Sequence, residues 1–539
     1  MGAALPAPVG GWDALNPIAA MPIQNALILD NFIPRAGYVE LRRGYVIQQS
    51  TGAKVESLMA FRGGAGGDKL FAAYGGHLYD VTTQGGTPSS VFSGATSNRW
   101  NYTAFANAAG AWLIALNGSD APIGYNAGAW AALPTISGTG LSSPSALFNV
   151  FSHKGRLHLL EKNTLHVWNP AAGAVGGACT LLDLSSVFSK GGRLICGAGW
   201  SAQFGVTADD FAVYMTDQGQ VAIYQGSDPT NASDWSLVGV YDFGPPLGPK
   251  ALLKFGGDLA VVTSDGVIPL SQGLKLDRSD QLNIALTKTI MNAFSAAVRA
   301  YGPNYGWQGL LYPGTTASND ASAAGGSLAI FNVPTASLGT SVQFVQNVLT
   351  GAWCRFVNLD AFCWELANGG VYFSGVDPTG LMAVFQWDRG ASDNGSPIVG
   401  DIKSAFTDFG DGRRNKQFTM IRPILKTTPV VQPALEVDVD YQESSPVAVP
   451  TVVRDGAAGV QVRYDWTGAS GLGYVGAARM QVNLASDPGT PMLEVNAVTG
   501  DLLAVDGSGD DLQVASGLPF DVPCQLLGFD LVYEPGGQL

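Results

Sequence analysis

The side chains that could bind a metal or move protons are few and scattered. There are four histidines, His77, His153, His158 and His166, and the last three fall close together. Imidazoles with a thiolate or carboxylate can hold zinc. Successive residues of a strand point to opposite faces, however, so alternation predicts that these three rings diverge and serve packing or the surface. Five cysteines, Cys179, Cys196, Cys354, Cys363 and Cys524, are odd in number and widely spaced, with no Cys-x-x-Cys pair. They read as buried free thiols. "VDGSGDDLQV" (505–514) sets three carboxylates beside two glycines. Calcium prefers such oxygen-rich loops, but the spacing and closing Glu of an EF-hand are missing, and the stretch reads as an acidic turn. No Gly-x-Ser-x-Gly elbow, P-loop or His-Glu-x-x-His appears. The expectation is a chain without catalytic residues, metal or cofactor.

The elements that would have to position any such group are short strands. "YMTDQGQVAIYQGSDPT" (214–230) reads as strand, tight turn, strand, loop. The same grammar recurs at 69–82, 100–130, 148–169, 211–228 and 251–271, and around "SLAIFNVP" and "VYFSGVDPTGLMAVFQWD". The interval is on the order of 40 to 50 residues, the period of a four-stranded blade. A lone hairpin buries too little to be stable, whereas blades stacked around an axis cover one another's faces. The expected fold is all-β, a β-propeller of about six blades with an additional β-rich platform or C-terminal domain. Three regions are expected: an N-terminal segment 1–50 contacting platform or adaptor, a propeller 51–390, and an acidic β-rich domain 391–539. A helix is expected at 279–302, with Leu282, Ile284, Leu286, Ile290, Phe294 and Val298 as its apolar stripe behind a Ser279 cap.

Composition narrows the function. Gly 70 together with 46% hydrophobic residues in 539 describes a turn-rich, well-packed chain. Only 13% of residues are charged, about half the usual share of roughly 25%. The surface is correspondingly apolar, which suits work inside an assembly. Of the net charge of −14, residues 427–539 carry fifteen acidic and three basic side chains, a net −12. Tight nucleic-acid binding is disfavoured, because phosphate contacts need Lys and Arg. No stretch is apolar for long enough to span a membrane, and the N-terminus lacks a signal-peptide pattern, so a soluble chain folded in a reducing cytoplasm is expected.

Several strings then resemble one family. "GGWDALNPIAAMPIQNALILDNFIPRAGYVELRRGY" (10–45), "TDQGQVAIYQGSDPTNASDWSLVGVYDFGPPLGPKALLKFGGDLAVVTSDGVIPLS" (216–271), "YGWQGLLYPG" (305–314), "FNVP" (331–334), "GAWCRF" (351–356) and "FTDFGDGRRNKQFTMIRP" (406–423) follow in order. They resemble the tail nozzle, or tail tubular protein B, of short-tailed bacteriophages. The resemblance covers about 10–425. It implies a structural virion protein, assembled in the host cytoplasm, that forms a ring of usually six copies below the tail adaptor and surrounds the DNA ejection channel. Implied partners are further copies of the chain, the adaptor, tail fibre or tailspike proteins, and transiting DNA that is not tightly held, with no membrane insertion. Acidic walls would repel phosphates and let DNA slide, which nominates Asp438, Asp440, Glu443, Asp501, Asp510 and Asp511 as channel lining. Arg42, Arg43, Arg413, Arg414 and Lys416 are nominated as contacts to an acidic neighbour. The alternatives are a distal propeller for host-surface receptor binding, or a glycan hydrolase with paired carboxylates. The Ser-x-Asp-x-Gly-x-Thr-Trp boxes of sialidase-type propellers have no match, the nearest strings being "TSDGVIPL" and "SDPTNASDW".

Overall fold

The computed structural model describes residues 2–63, 67–204, 207–314, 327–426, 433–442, 447–448, 453–454, 462–463, 472–484, 493–495, 502–504 and 524–538. Four separate four-stranded sheets span 57–93, 101–132, 147–183 and 194–242, and a three-stranded sheet spans 252–269. Two further four-stranded units, 308–356 and 360–387 completed by Tyr45–Ser50, bring the number to seven. All are antiparallel meanders. The first strand of each packs on the first strand of the next, and that of the last, Asp360–Ala367, returns to Ser57–Phe61 of the first. The fold is thus an all-β propeller whose ring closes with seven blades, one more than repeat spacing suggests.

Local chemistry accounts for the blades. "SLMAF" (57–61) is buried at every position because neighbouring blades cover both faces. Separate apolar clusters fill the gaps between blades, such as Phe71, Leu113 and Trp130 between the first two and Phe151, Tyr214 and Trp235 between the third and fourth. Lys154 and Gly155 join Leu147–His153 to Arg156–Glu161 with φ 42° and 71°, the mirror-image two-residue turn that matches strand twist. In the 214–230 stretch the turn is three residues long, closed by Gly219 at φ 81°.

The divisions expected at residues 50 and 390 do not hold. Tyr45–Ser50 is the outer strand of the last blade, antiparallel to Met382–Trp387. Gly2–Pro6 pairs with Gln525–Gln538, and Asn25–Asp30 with Ser396–Ser404. The N-terminal strands therefore share the platform with the C-terminal ones, because edge strands must be paired or covered. The helix expected over 279–302 is also broken. It comprises Arg278–Gln281, a 3-10 turn Leu286–Ile290 and Met291–Tyr301. Ser279 is no cap, and Leu282 is 40% exposed while Ile290 and Phe294 are buried. The insertion packs where the three-stranded fifth blade lacks an outer strand.

Candidate interaction surfaces

Three of the seven nominated charges that lie among the described residues, Arg42, Lys416 and Asp438, turn inward. Asn31, held at φ 60°, donates its Nδ2 to the carbonyl oxygens of Val357 and Val399 at 3.2 and 2.7 Å, and its Oδ1 accepts from Arg42 Nε at 2.9 Å. Arg42 completes the knot by giving Nη1 and Nη2 to the two Asp393 oxygens at 2.8 and 2.6 Å. Only 1% of Arg42 is exposed, so it offers no partner contact and instead ties platform to propeller. Asp30 takes a forked bond from Arg355 at 2.7 and 2.9 Å, and Arg355 lies 4.8 Å above the Trp12 ring. Arg43 is partly exposed, 4.0 Å from Asp388.

Lys416 is buried, and its Nζ donates to the carbonyl oxygens of Asp411, Arg414 and Tyr474 at 2.5, 3.1 and 2.9 Å. It too is corrected from surface contact to internal strut. Arg413 is exposed, and Arg414 stands 3.6 Å from Asp411 with its side chain 40% exposed. Asp438 is buried against Lys403 Nζ at 2.8 Å, which removes it from any channel lining. Asp440, at φ 48°, accepts the backbone N–H groups of Tyr474 and Val475 at 2.7 and 3.2 Å. Glu443, Asp501, Asp510, Asp511 and the 505–514 loop lie outside the described residues.

The histidines converge more than alternation predicts. His153 and His158 come within 6.0 Å between ring centroids, because the hairpin register pairs Phe151 with His158 and so sets the two rings on one face, where Trp235 of the facing blade covers both. His158 Nδ1 lies 2.8 Å from both Asn169 Nδ2 and Tyr214 Oη, and Nε2 meets no partner in its buried site. Burial holds His158 well below its usual pKa. His166 stands apart, beside Glu161 at 3.3 Å. No group of three metal-ligating side chains occurs among the described residues. Cys196, Cys354, Cys363 and Cys524 are buried thiols and Cys179 is half-buried, all unbridged. Burial pushes Cys196 and Cys524 up to about 12.

Two further surfaces emerge only in the folded chain. Between Ala14 and Leu29 there is no charged residue, a run that could have signalled the first. Its loop exposes Leu15, Ile18 and Ile23 by 40, 45 and 41%. Asp13 pins the base: it accepts the N–H groups of Leu15 and Asn16 at 2.9 and 3.0 Å and the Nδ2 groups of Asn16 and Asn25 at 2.7 Å each. Burial works against ionisation of Asp13, yet these bonds together hold it below its ordinary value.

The second surface is a cavity of about 290 Å³ at the end of the propeller axis where the inner strands begin. Residues from four blades or their approach loops line it, among them Arg99, Lys250, Tyr305, Gln308 and Phe362. Arg99 Nε is fixed by Glu56 at 2.8 Å, and its guanidinium lies 4.1 Å from the Tyr305 ring centre. Tyr305 Oη in turn donates to the Glu56 carbonyl at 2.9 Å. Tyr102 bonds Glu365 on the inner strand of the last blade, where burial raises the carboxyl above its ordinary value, opposed by Lys250.

No protein-family model matches the sequence, and no curated protein does. Solved structures with a similar chain path include BBS1N in complex with ARL6DN, at 10% identity and TM-score 0.37 over 64% of this chain and 97% of that one. YCF48 bound to a D1 peptide has 10% identity and TM-score 0.35, covering 68% and 99%. The β-propeller domain of Myceliophteria thermophila Cps50 (Swd1) has 10% identity and TM-score 0.36, covering 63% and 99%.

Proposed function

We propose that this chain is a wall subunit of a short bacteriophage tail, a nozzle ring of six copies below the adaptor through which the genome leaves. The observation that carries the reading is the uncharged loop 14–24, which is apolar and exposed and sits inside the string that resembles the nozzle family. A pinned apolar loop is costly to leave in water and suits a shape-matched neighbour. The neighbouring "LDNFIPR" and "LRRGY" strings have a structural reason of their own, since Asp30, Asn31 and Arg42 form the joint between propeller and platform. In this reading Arg413 and Arg414, and not Arg42 or Lys416, face an acidic neighbour. Asp440 is left as the described candidate for an acidic wall.

Electron microscopy of the purified chain, alone and with its adaptor, tests the proposal. A hollow six-fold ring is expected, and replacing Leu15, Ile18 and Ile23 together by Asp should abolish it while the subunit still melts cooperatively. Separate monomers under both conditions would overturn it.

A further inference from the structure

We propose that the axial cavity of the propeller binds a carboxylate group through Arg99 and Lys250, carried either on a small organic acid or on an Asp or Glu side chain of an inserted loop. The inference is independent of the ring reading. Four features of the cavity carry it.

The first is preorganisation. Arg99 is held at Nε by Glu56 and stacked on Tyr305, so its planar group is fixed before any ligand arrives. Its two Nη groups have no hydrogen-bond partner among the described residues. An arginine bound at Nε and stacked on a ring presents a two-pronged donor that matches the two oxygens of a carboxylate. The second is Lys250, half-buried in the same cavity and without a hydrogen bond or ion pair among the described residues.

The third is charge. Two cations, Arg99 and Lys250, line the cavity, and Glu56, bound to Arg99 Nε, faces one of them, which favours an anion of low charge. Glu365, near enough to feel the charge of Lys250, is the internal competitor for it. The fourth is the wall. Pro249, Pro303, Tyr305 and Phe362 line the cavity beside the cations, where Lys250 is half-buried and the Arg99 side chain is 49% exposed, so a bound anion is withdrawn from water on one side.

The test is calorimetric titration of the full chain at low salt with glutarate, with N-acetyl-Gly-Glu-Gly amide and with inorganic phosphate. One saturable carboxylate site per chain is expected. Lys250→Gln should weaken it about tenfold or more, as should Arg99→Lys, which keeps the charge and loses the fork. Glu365→Gln, which removes the competing carboxylate, should tighten it. Unchanged melting temperatures would show that the variants still fold. Tighter binding of the peptide assigns the site to a partner loop, and tighter binding of glutarate to a free acid. Absence of carboxylate saturation, phosphate binding more tightly than either acid, or affinity unmoved in both cation variants would overturn the proposal.

Discussion

A charged side chain is written the same way in sequence whether it ends in water or against buried carbonyls. Arg42 and Arg43 are adjacent, yet one is sealed against Asp393 and the other half-exposed near Asp388. Removing one partner of a buried pair strands the other, so Arg42→Leu should cost about 3–5 kcal/mol, and Arg43→Ala less than about 0.5 kcal/mol, in denaturant unfolding. Lys416 and Asp438 look like surface charges in the sequence for the same reason: the Tyr474 carbonyl and Lys403, which help hold them inside, are remote along the chain. His158 gives a pH effect of definite sign. Burial lowers its pKa below the ordinary 6.5 in the folded chain, so the unfolded chain binds the proton more readily. Its contribution to stability is complete above about pH 6.5 and is lost as pH falls below that value. Between pH 6.5 and 5, His158→Gln should therefore flatten the dependence of the unfolding midpoint on pH. An unaltered slope would count against a neutral buried ring.

At the scale of elements, periodicity served strands better than the helix. Hairpins such as His153–Arg156 follow from nearest-neighbour turn chemistry, and each is visible in a few letters. Apolar spacing predicts one amphipathic helix for the insertion; the chain instead turns at 282–290 to seat Ile290 and Phe294 in the core. Phe294→Ala should accordingly cost about 3–5 kcal/mol, whereas Leu282→Lys should be near neutral, within about 0.5 kcal/mol. Equal effects in thermal melts would restore the continuous stripe. Tyr45 anchors the strand that closes the ring, packed edge-on against Phe373 and Phe385 at 5.0 and 4.9 Å. Truncation to Ala should cost about 3–5 kcal/mol and expose the last blade first, seen as early amide exchange in 382–387.

For the molecule as a whole, the two ends of the chain meet in one platform, and its core is continuous with that of the later blades. A chain ending at residue 390 would lack Asp393 and the Val399 carbonyl that hold Arg42 and Asn31. It should lose cooperative unfolding and be cut rapidly by protease, whereas the division expected from composition requires a stable propeller. The sequence by itself determined the all-β class, the repeated hairpins, the turn chemistry and the burial of most thiols, because each depends on residues near one another in the chain. The tertiary structure alone decided the closure by Tyr45–Ser50, the fate of each charged side chain and the convergence of Arg99, Lys250 and Tyr305 on one cavity. Those depend on which distant strands become neighbours, and the free energy of that pairing is a property of the closed ring.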